Sequence, residues 1–409
     1  MTTIAAHQER VRALVEPALG RIDDTEPLTV ESLAARPDAA LRTIGSRVLA
    51  PIDLPPFDNS QMDGFALRTA DAGTTVRLAA VVPAGAVPSP LGAGQAAPVM
   101  TGAPIPDGAD AVVAVESFGV VFPDALALTE LTVPTGIAAR TFIRARGSDI
   151  AAGGVLADHG ARTTPALLGS LAAAGVRTVD VRRRPRVLVV STGSELADSG
   201  SPDRASLIGD ANGVSLRAAL AAVGVESRAV RVPDDPDRFV AEVADAARGW
   251  ADLVLTTGGI SMGAFEVVRQ ALEPRGLDVG TVAMQPGGPQ AVGMVAVDDT
   301  RTVPVIGFPG NPVSALVSFE MFLRPVLAAH AGLPADRAAE RLPAGEPTTS
   351  PIGKHQVRRG TVRGGRVYFV GGPSSHLLAH YADATHLVHV PVGVDAVAPG
   401  DPLTVWSIR

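Results

Sequence analysis

Residues 185–196, PRVLVVSTGSEL, join an apolar run to a polar turn. The apolar residues do not alternate with polar ones, which is typical of a strand buried on both faces, as in a parallel sheet. The elements predicted downstream alternate in type, with strands at 227–232, 251–259 and 303–310 and helices at 212–223, 236–249, 264–272 and 311–329. Such alternation predicts a doubly wound α/β domain over residues 181–330.

The segments on either side of this domain have a different amino-acid pattern. Residues 7–50 are predicted to be helical, with a second helix at 28–40. Residues 51–140 hold short Val-rich runs separated by Pro and Gly, which favours a small β domain. Residues 141–180 return to a helical pattern, so 1–50 and 141–180 are interpreted as one discontinuous linker domain. Residues 331–409 contain a hairpin with an Arg-Gly-Gly turn and a final strand, which predicts a second β domain.

Composition excludes several classes of chemistry. The 409-residue chain has no cysteine, which rules out disulfides, thiolate metal sites, iron–sulfur clusters and cysteine nucleophiles. Its formal net charge of -7 provides no basic field for nucleic acid. Lys354 is the single lysine, and no phosphate-binding GxxxxGK[ST] loop occurs. The charged N-terminal segment does not resemble a signal peptide and the apolar runs look too short for a bilayer, so we expect a cytoplasmic protein without membrane contact.

Three strands of the α/β domain are followed by turns rich in Gly, Ser and Thr. The turns are STGSEL (191–196), TTGGISMG (256–263) and FPGNPVS (308–314). Ligands of parallel α/β sheets bind at the carboxyl ends of strands, where glycine lets backbone approach the ligand and helix N-termini offer unpaired amides. One such turn alone is more often a plain tight turn, but three on one sheet edge favour an anion-binding site.

Three other polar features allow two interpretations each. PPFDNSQMDG (55–64) is either a self-bonded Asx turn or an acceptor set for hydroxyls, ring nitrogens or a divalent metal. TGAPIPDGADAVV (101–113) is either a rigid connection or a functional loop. The histidines at 376, 380, 386 and 389 include an HxxxH pair that could bind metal, but polar surface histidines explain them better.

These motifs together carry a family resemblance. PPFDNSQMDGFALR, TGAPIPDGADAVV, STGSEL, TTGGISMG and FPGNPVSALVSFE, in this order and spacing, closely resemble the molybdopterin molybdenumtransferases, which are related to the E domain of gephyrin. The resemblance covers essentially the whole chain. It implies a multidomain protein with a discontinuous linker domain, a β domain, an α/β domain like that of molybdopterin adenylyltransferases, and a C-terminal β domain.

The resemblance also implies a reaction. Members of this family insert molybdenum from molybdate into adenylylated molybdopterin and release AMP, with a divalent cation that is usually Mg²⁺. They are homodimers whose active site lies between the α/β domain of one subunit and the β domain of the other. Molybdopterin adenylyltransferase and apo-molybdoenzymes would be partners before and after this step.

Site residues follow from the resemblance position by position. Asp58, Asp63 and Glu266 are the candidate catalytic residues and tentative metal ligands. The candidate substrate-binding residues are Asn59, Ser60, Thr101, Gly102, Ser191, Thr192, Gly193, Ser194, Glu195, Asn212, Gly258, Gly259, Ser261, Pro286, Gly287, Pro309, Gly310, Asn311, Ser314, Arg358, Arg359 and Ser375.

The chain departs from the family pattern at charged positions. Ser194 stands where many members have Asp, Glu266 replaces the usual Asp, and Gln285 and Gly288 replace two lysines. A charge-assisted hydrogen bond contributes roughly 1.5 to 3 kcal/mol, so the loss of two cations is expected to weaken anion binding. Two alternatives to an active insertase therefore stand: a non-catalytic paralogue that binds and delivers the cofactor, and a hydrolase of another nucleotide pyrophosphate.

Overall fold

The structure, a computed structural model, describes residues 1–36, 38–193, 196–197, 208–261 and 266–409. The predicted site residues Ser194 and Glu195 lie outside these ranges. The chain forms two compact units: unit 1 comprises residues 1–25 and 182–409, and unit 2 comprises residues 26–181. The five segments predicted from sequence divide the chain more finely and stay predictions.

The α-helices of the described residues are α1 (Ile4–Leu19), α2 (Val30–Ala34), α3 (Pro165–Ala173), α4 (Ala211–Ala221), α5 (Pro236–Ala247), α6 (Val267–Leu272), α7 (Pro312–Ser318), α8 (Arg324–His330) and α9 (Leu378–Asp383). A π-helical turn, Phe319–Leu323, connects α7 to α8.

The strands of the described residues are β1 (Thr25–Thr29), β2 (Val48–Leu49), β3 (Asn59–Ser60), β4 (Gly64–Leu67), β5 (Thr75–Leu78), β6 (Gln95–Val99), β7 (Ala111–Ala114), β8 (Glu130–Thr132), β9 (Ile143–Arg144), β10 (Val155–Ala157), β11 (Thr178–Arg182), β12 (Arg186–Thr192), β13 (Leu196–Ala197), β14 (Ile208–Gly209), β15 (Glu226–Val232), β16 (Leu253–Thr257), β17 (Asp278–Thr281), β18 (Met284–Gln285), β19 (Pro289–Ala296), β20 (Thr302–Phe308), β21 (Ala339–Pro343), β22 (Thr348–Thr349), β23 (His355–Arg363), β24 (Arg366–Phe369), β25 (His386–Val390), β26 (Ala396–Val397) and β27 (Pro402–Ser407).

A six-stranded sheet in the order β15-β12-β16-β20-β19-β17 forms the centre of unit 1. Strands β15, β12, β16 and β20 are parallel, as predicted. Val187 and Val189 of β12 join one core with residues of α1, α4 and α7, while Leu188 and Val190 join another with residues of α5 and α6. Side chains of a strand alternate between faces, so helices cover both faces of the sheet. The prediction of a doubly wound α/β domain is confirmed.

The sheet is not wholly parallel, because β19 pairs antiparallel with β20, and β17 pairs antiparallel with β19. No strand was predicted at 289–296. Its sequence, PQAVGMVA, contains Pro289 and Gly293, which are both uncommon in strand interiors. A short antiparallel connection to β20 replaces the crossover helix that a parallel strand would need.

The helical stretch Pro312–His330 crosses the core of unit 1. Its length and apolar composition would suffice for a membrane span, but 78% of the window is buried inside the protein, and a core helix meets the same criteria. Glu320 within this stretch is buried and accepts two hydrogen bonds from Arg337, at 2.8 and 2.9 Å. The buried carboxylate is therefore paired, as burial of a charge requires.

A second sheet of unit 1 has the order β18-β23-β25-β27-β21, with β24 paired to β23. The predicted hairpin is confirmed: β23 and β24 are joined at Gly364 and Gly365, both of which have positive φ. The short strand β18 pairs with His355 and Gln356 of β23. This pairing attaches the segment that follows β18 to the C-terminal sheet.

Unit 2 contains a five-stranded sheet, β7-β4-β6-β5-β8, that confirms the predicted β character of this region. The predicted helix at 28–40 is wrong for most of its length, because β1 pairs with β11 and only α2 is α-helical. The side chain of Thr29 caps α2 by accepting from the amide of Ser32, which starts the helix late. Pro37 disfavours helical backbone at the residue before it, which ends the helix early.

One of the four predicted surface histidines, His389, is buried. Its Nδ1 lies 2.9 Å from Nε2 of His355, its ring centroid lies 4.0 Å from that of Trp406, and its Nε2 has no partner. Burial, with a smaller contribution from the neighbouring His355, lowers the pKa of His389 to about 3. The surface interpretation is wrong for this residue, which belongs to the C-terminal sheet.

We predict that His389 makes unit 1 acid-sensitive. The unfolded chain binds a proton on this imidazole below about pH 6.5, whereas the folded protein does so only near pH 3. Stability is therefore complete above pH 6.5 and falls as the pH decreases, by up to about 1.4 kcal/mol per pH unit for one proton. The free energy of unfolding, measured with urea between pH 4.5 and 7, should change less with pH in His389→Gln than in the native protein. The same change with pH in both proteins would contradict this role of His389.

Candidate functional site

A cavity of about 1280 Å³ lies at the carboxyl ends of β12, β16 and β20. All three predicted turns reach it, together with the start of α4 and the loops at 285–289 and 373–376. The predicted site residues on its wall are Thr192, Gly193, Asn212, Gly258, Gly259, Ser261, Glu266, Pro286, Gly287, Pro309, Gly310, Asn311, Ser314 and Ser375. The predicted convergence of the turns is confirmed, while binding roles for the residues stay predictions.

The three turns approach one another too closely for side chains. A Cβ added to Gly258 would lie 3.1 Å from the carbonyl oxygen of Thr192, and one added to Gly310 would lie 3.3 Å from Cα of Gly258. Gly259 is tighter still, because its Cβ would lie 2.9 Å from the amide nitrogen of Val268. Both Gly258 and Gly259 also have positive φ. Positive φ and lack of space therefore both favour glycine at 258 and 259, whereas at 310 only the close approach to Gly258 does.

Two polar side chains hold the turns in place. Nδ2 of Asn212, at the start of α4, donates to the carbonyl of Gly310 at 2.7 Å. Oε2 of Glu266 accepts from the amide of Ser261 at 2.7 Å. Glu266, predicted to be catalytic, thus also stabilises the turn that follows β16.

At the start of α7, where the sequence predicts unpaired amides, the amide of Val313 has a partner. The amide of Val313 donates to the carbonyl of Ser375 at 3.1 Å, so it is already used to join two walls of the cavity. Ser314 is buried and lies on the wall, where its hydroxyl can serve as a donor. Ser191 is buried within β12 and does not reach the wall.

The loop at 285–289 contains no lysine and is held by hydrogen bonds of neutral amides. Oε1 of Gln285 accepts from Nε2 of Gln356 at 3.0 Å. The carbonyl of Gly287 accepts from Nε2 of Gln290 at 2.7 Å, and the same nitrogen donates to the hydroxyl of Ser318 at 2.7 Å. Neutral amides therefore fix the shape of residues 285–289, the segment for which the family resemblance implies two lysines.

Arg358 and Arg359 are predicted to bind substrate, and that role stays a prediction. Both are buried and neither lines the cavity. Arg359 donates to the carbonyls of Gly372 and, at 3.0 Å, Ser374, while Arg358 donates to the carbonyl of Gly371 at 3.0 Å. They hold the backbone of the loop that ends in Ser375, a role that residue type alone does not reveal.

Charge on the cavity wall is unusual for an anion site. The described lining residues include the carboxylates of Asp210, Asp234 and Glu266 but no lysine or arginine, and His376 is their one basic side chain. Asp210 and Asp234 were not predicted as wall residues, whereas His376 is exposed, as predicted, and also lies on the wall. His376 directly follows the predicted site residue Ser375, and this adjacency could have indicated that His376 lies at the cavity. It precedes α9, so the HxxxH pair does not lie on one helix.

Unit 2 carries the second group of predicted residues, which gather around the motif at 55–64. Asp58 forms an ion pair with Arg140, and its Oδ1 accepts from the amide of Arg146 at 2.8 Å. The Arg140 guanidinium, aided by this amide, holds the pKa of Asp58 below its usual range. Asn59 accepts from Arg144 at 3.2 Å. Asp58 is thus poorly suited to donate a proton and serves to hold Arg140.

The two motifs of unit 2 are neighbours in space. Oδ1 of Asp63 accepts from the amide of Thr101 at 2.7 Å and from its hydroxyl at 2.9 Å. The carbonyl of Ser60 accepts from the amide of Gly102 at 2.9 Å. Each of the ambiguous loops therefore supports the other, and the predicted site residues of unit 2 form one cluster.

The donor set does not fit a metal site made of protein groups alone. Within the described part of the chain, no group of three or more His, Cys, Asp or Glu residues could hold a metal ion. Both oxygens of Asp58 already accept from nitrogen donors, and Oδ1 of Asp63 accepts from Thr101. No step of the chemistry is therefore assigned to a metal held by these residues.

Two family models match the chain. Residues 2–175 match the model described as MoeA N-terminal region, domains I and II, and residues 188–329 match a probable molybdopterin binding domain. The chain is 39% identical to molybdopterin molybdenumtransferase 2 of Mycobacterium tuberculosis, over 98% of this chain and 99% of that protein. The chain belongs to the molybdopterin molybdenumtransferase family. It is also 36% identical to the molybdopterin molybdenumtransferase of Synechococcus elongatus, over 93% of this chain and 95% of that one.

The fold agrees with this membership. A crystal structure of the molybdopterin biosynthesis MoeA protein from Pyrococcus horikoshii matches with a TM-score of 0.76 and 26% identity, covering 100% of this chain and 99% of that one. The family resemblance seen in the sequence motifs is thereby confirmed, together with the transferase class of its named members.

We predict that Arg140 sets the charge state of Asp58. Removal of the guanidinium in Arg140→Ala should raise the pKa of Asp58 toward the ordinary range for an aspartate, because the principal donor to its carboxylate is lost. NMR titration of the Asp side-chain carboxyl carbons measures this directly, with Arg140→Lys as the variant that retains a cation. A pKa that is the same in the native protein and in Arg140→Ala would show that Arg140 does not control Asp58.

Proposed function

We propose that this chain inserts molybdenum from molybdate into adenylylated molybdopterin, with release of AMP. The observation that carries the proposal is the cavity in unit 1, where three glycine-rich strand ends meet, in a chain that belongs to the molybdopterin molybdenumtransferase family. Phosphates and molybdate are both tetrahedral oxyanions, which suit backbone amides and hydroxyls at strand ends and helix N-termini.

The cavity favours catalysis by positioning. The chain has no cysteine, and the polar wall groups among the described residues are mainly backbone, hydroxyl, amide and carboxylate groups. Cleavage of a phosphoanhydride requires alignment and charge stabilisation more than a covalent nucleophile. Thr192, Ser261 and Ser314 supply hydroxyls around the space in which the reacting groups would lie.

The proposal includes a divalent cation, most simply Mg²⁺. Mg²⁺ is commonly held by substrate phosphates, water and one or two carboxylates, and does not need a cage of protein ligands. This mode is compatible with the lack of a three-residue metal cluster in the described ranges. Such an ion would neutralise charge on the bound phosphates.

The proposal also includes a cytoplasmic homodimer with a shared active site, in which the cavity of one subunit faces the Asp58 cluster of the other. The support is that candidate residues fall into two clusters, each on a different compact unit. Molybdopterin adenylyltransferase would supply the substrate, and apo-molybdoenzymes would take the product.

A second candidate function is cofactor binding and delivery without catalysis. The observation that favours it is the cavity wall itself, whose described residues lack lysine and arginine and which has Gln285 at a family lysine position. Such a protein would bind molybdopterin species tightly but release no AMP.

The decisive prediction concerns AMP. With saturating Mg²⁺, the purified protein should release AMP from adenylylated molybdopterin, should do so faster with molybdate, and should yield a product that activates an apo-molybdoenzyme. Absence of both AMP release and activation would refute the insertase. Tight binding of molybdopterin without AMP release would instead establish the delivery function.

Mixing of variants tests the shared site. We predict that Asp58→Asn, and separately Asn212→Ala/Ser314→Ala, lose most activity. Random exchange of subunits between them should restore about a quarter of native activity, because half the dimers would be mixed and each would hold one intact site of two. Mixtures no more active than the separate variants would place both clusters in a site within one chain.

A further inference from the structure

The cavity of unit 1 raises a problem of charge. Its described wall carries three carboxylates, those of Asp210, Asp234 and Glu266, and neither lysine nor arginine. A dianionic phosphate or molybdate in this space would be repelled unless a positive group offset the carboxylates. His376 is the one basic side chain on the described wall.

His376 is held in place by its neighbours. Its Nδ1 lies 2.7 Å from the hydroxyl of Ser374, which fixes one edge of the ring and leaves Nε2 as the second polar position. The Ser374 carbonyl accepts from Arg359, and the Ser375 carbonyl accepts from the amide of Val313. The buried arginine thus acts through the backbone, and the imidazole is the one basic group of this loop on the described cavity wall.

We propose that His376 is the basic ligand of the oxyanion in this cavity. The ligand class is a tetrahedral oxyanion, either the nucleotide phosphate or molybdate. Nε2–H donates to an oxyanion oxygen, and the hydrogen bond between Nδ1 and the Ser374 hydroxyl keeps the ring oriented. This inference rests on the proposed function, because it names a side-chain ligand for an oxyanion of the insertase reaction.

The matched variants are His376→Gln, which keeps a hydrogen-bonding side chain without charge, and His159→Gln, which makes the same change at an exposed histidine of unit 2. Gln285 lies on the same cavity wall, so Gln285→Lys can place a cation there. The double variant His376→Gln/Gln285→Lys therefore tests whether a basic group on this wall, and not the imidazole ring itself, is what the anion requires. Circular dichroism verifies that every variant is folded.

Titration calorimetry with AMP and, separately, with sodium molybdate measures the outcome. His376→Gln is expected to weaken binding of at least one of the two anions by roughly tenfold, while His159→Gln leaves both affinities unchanged. Loss confined to AMP assigns the imidazole to the phosphate, and loss confined to molybdate assigns it to the metal oxyanion. Gln285→Lys should recover most of the lost affinity.

Equal affinities in His376→Gln and the native protein, or a loss that Gln285→Lys does not recover, would overturn the proposal and leave neutral donors as the anion ligands. Native protein that binds neither anion would also overturn it. The AMP-release assay separates this result from the proposed reaction. Normal AMP release in His376→Gln refutes the histidine role alone, whereas anion binding that depends on His376 in a protein without AMP release refutes the insertase alone.

Discussion

Close contact between the backbones of three strand ends is the constraint on which the site depends. Thr192 ends β12, and Gly258 and Gly310 follow the adjacent parallel strands β16 and β20. A Cβ at Gly258 or at Gly310 would lie closer to the neighbouring turn than ordinary van der Waals contact allows. The parallel register brings the turns together, and glycine allows them to touch. The result is a cavity floor made largely of backbone, whose shape does not depend on flexible side chains.

The arginines near the cavity stabilise its walls instead of facing its interior. Arg359 donates to two carbonyls of the loop that bears Ser375 and His376, and Arg358 donates to a third. A buried guanidinium needs several acceptors, and an irregular loop provides them as unpaired carbonyls. The loop carbonyls and the arginines thus stabilise each other, and the guanidinium groups do not line the cavity.

The sequence predicts the fold well where hydrophobic periodicity and turn chemistry agree, as in β12, β16, β20 and the helices between them. It also predicts which turns meet, since the ends of parallel strands share an edge. It fails at α2, where a local cap and a proline shorten the helix, and at β19, where tertiary pairing creates a strand without strong alternation. Arg359 and His376 could not be assigned from residue type, because whether a base faces backbone or cavity depends on the final path of the loop.

Gln285 adds no charge to its loop but stabilises it. Gln285 pairs with Gln356 of β23, and Gln290 binds both Gly287 and Ser318, so the segment is fixed at each end. These neutral contacts fix the shape of the segment without adding charge to the cavity wall. In the proposed function, an oxyanion bound here would find its basic partner on another wall, where His376 lies, or in an ion that arrives with the substrate.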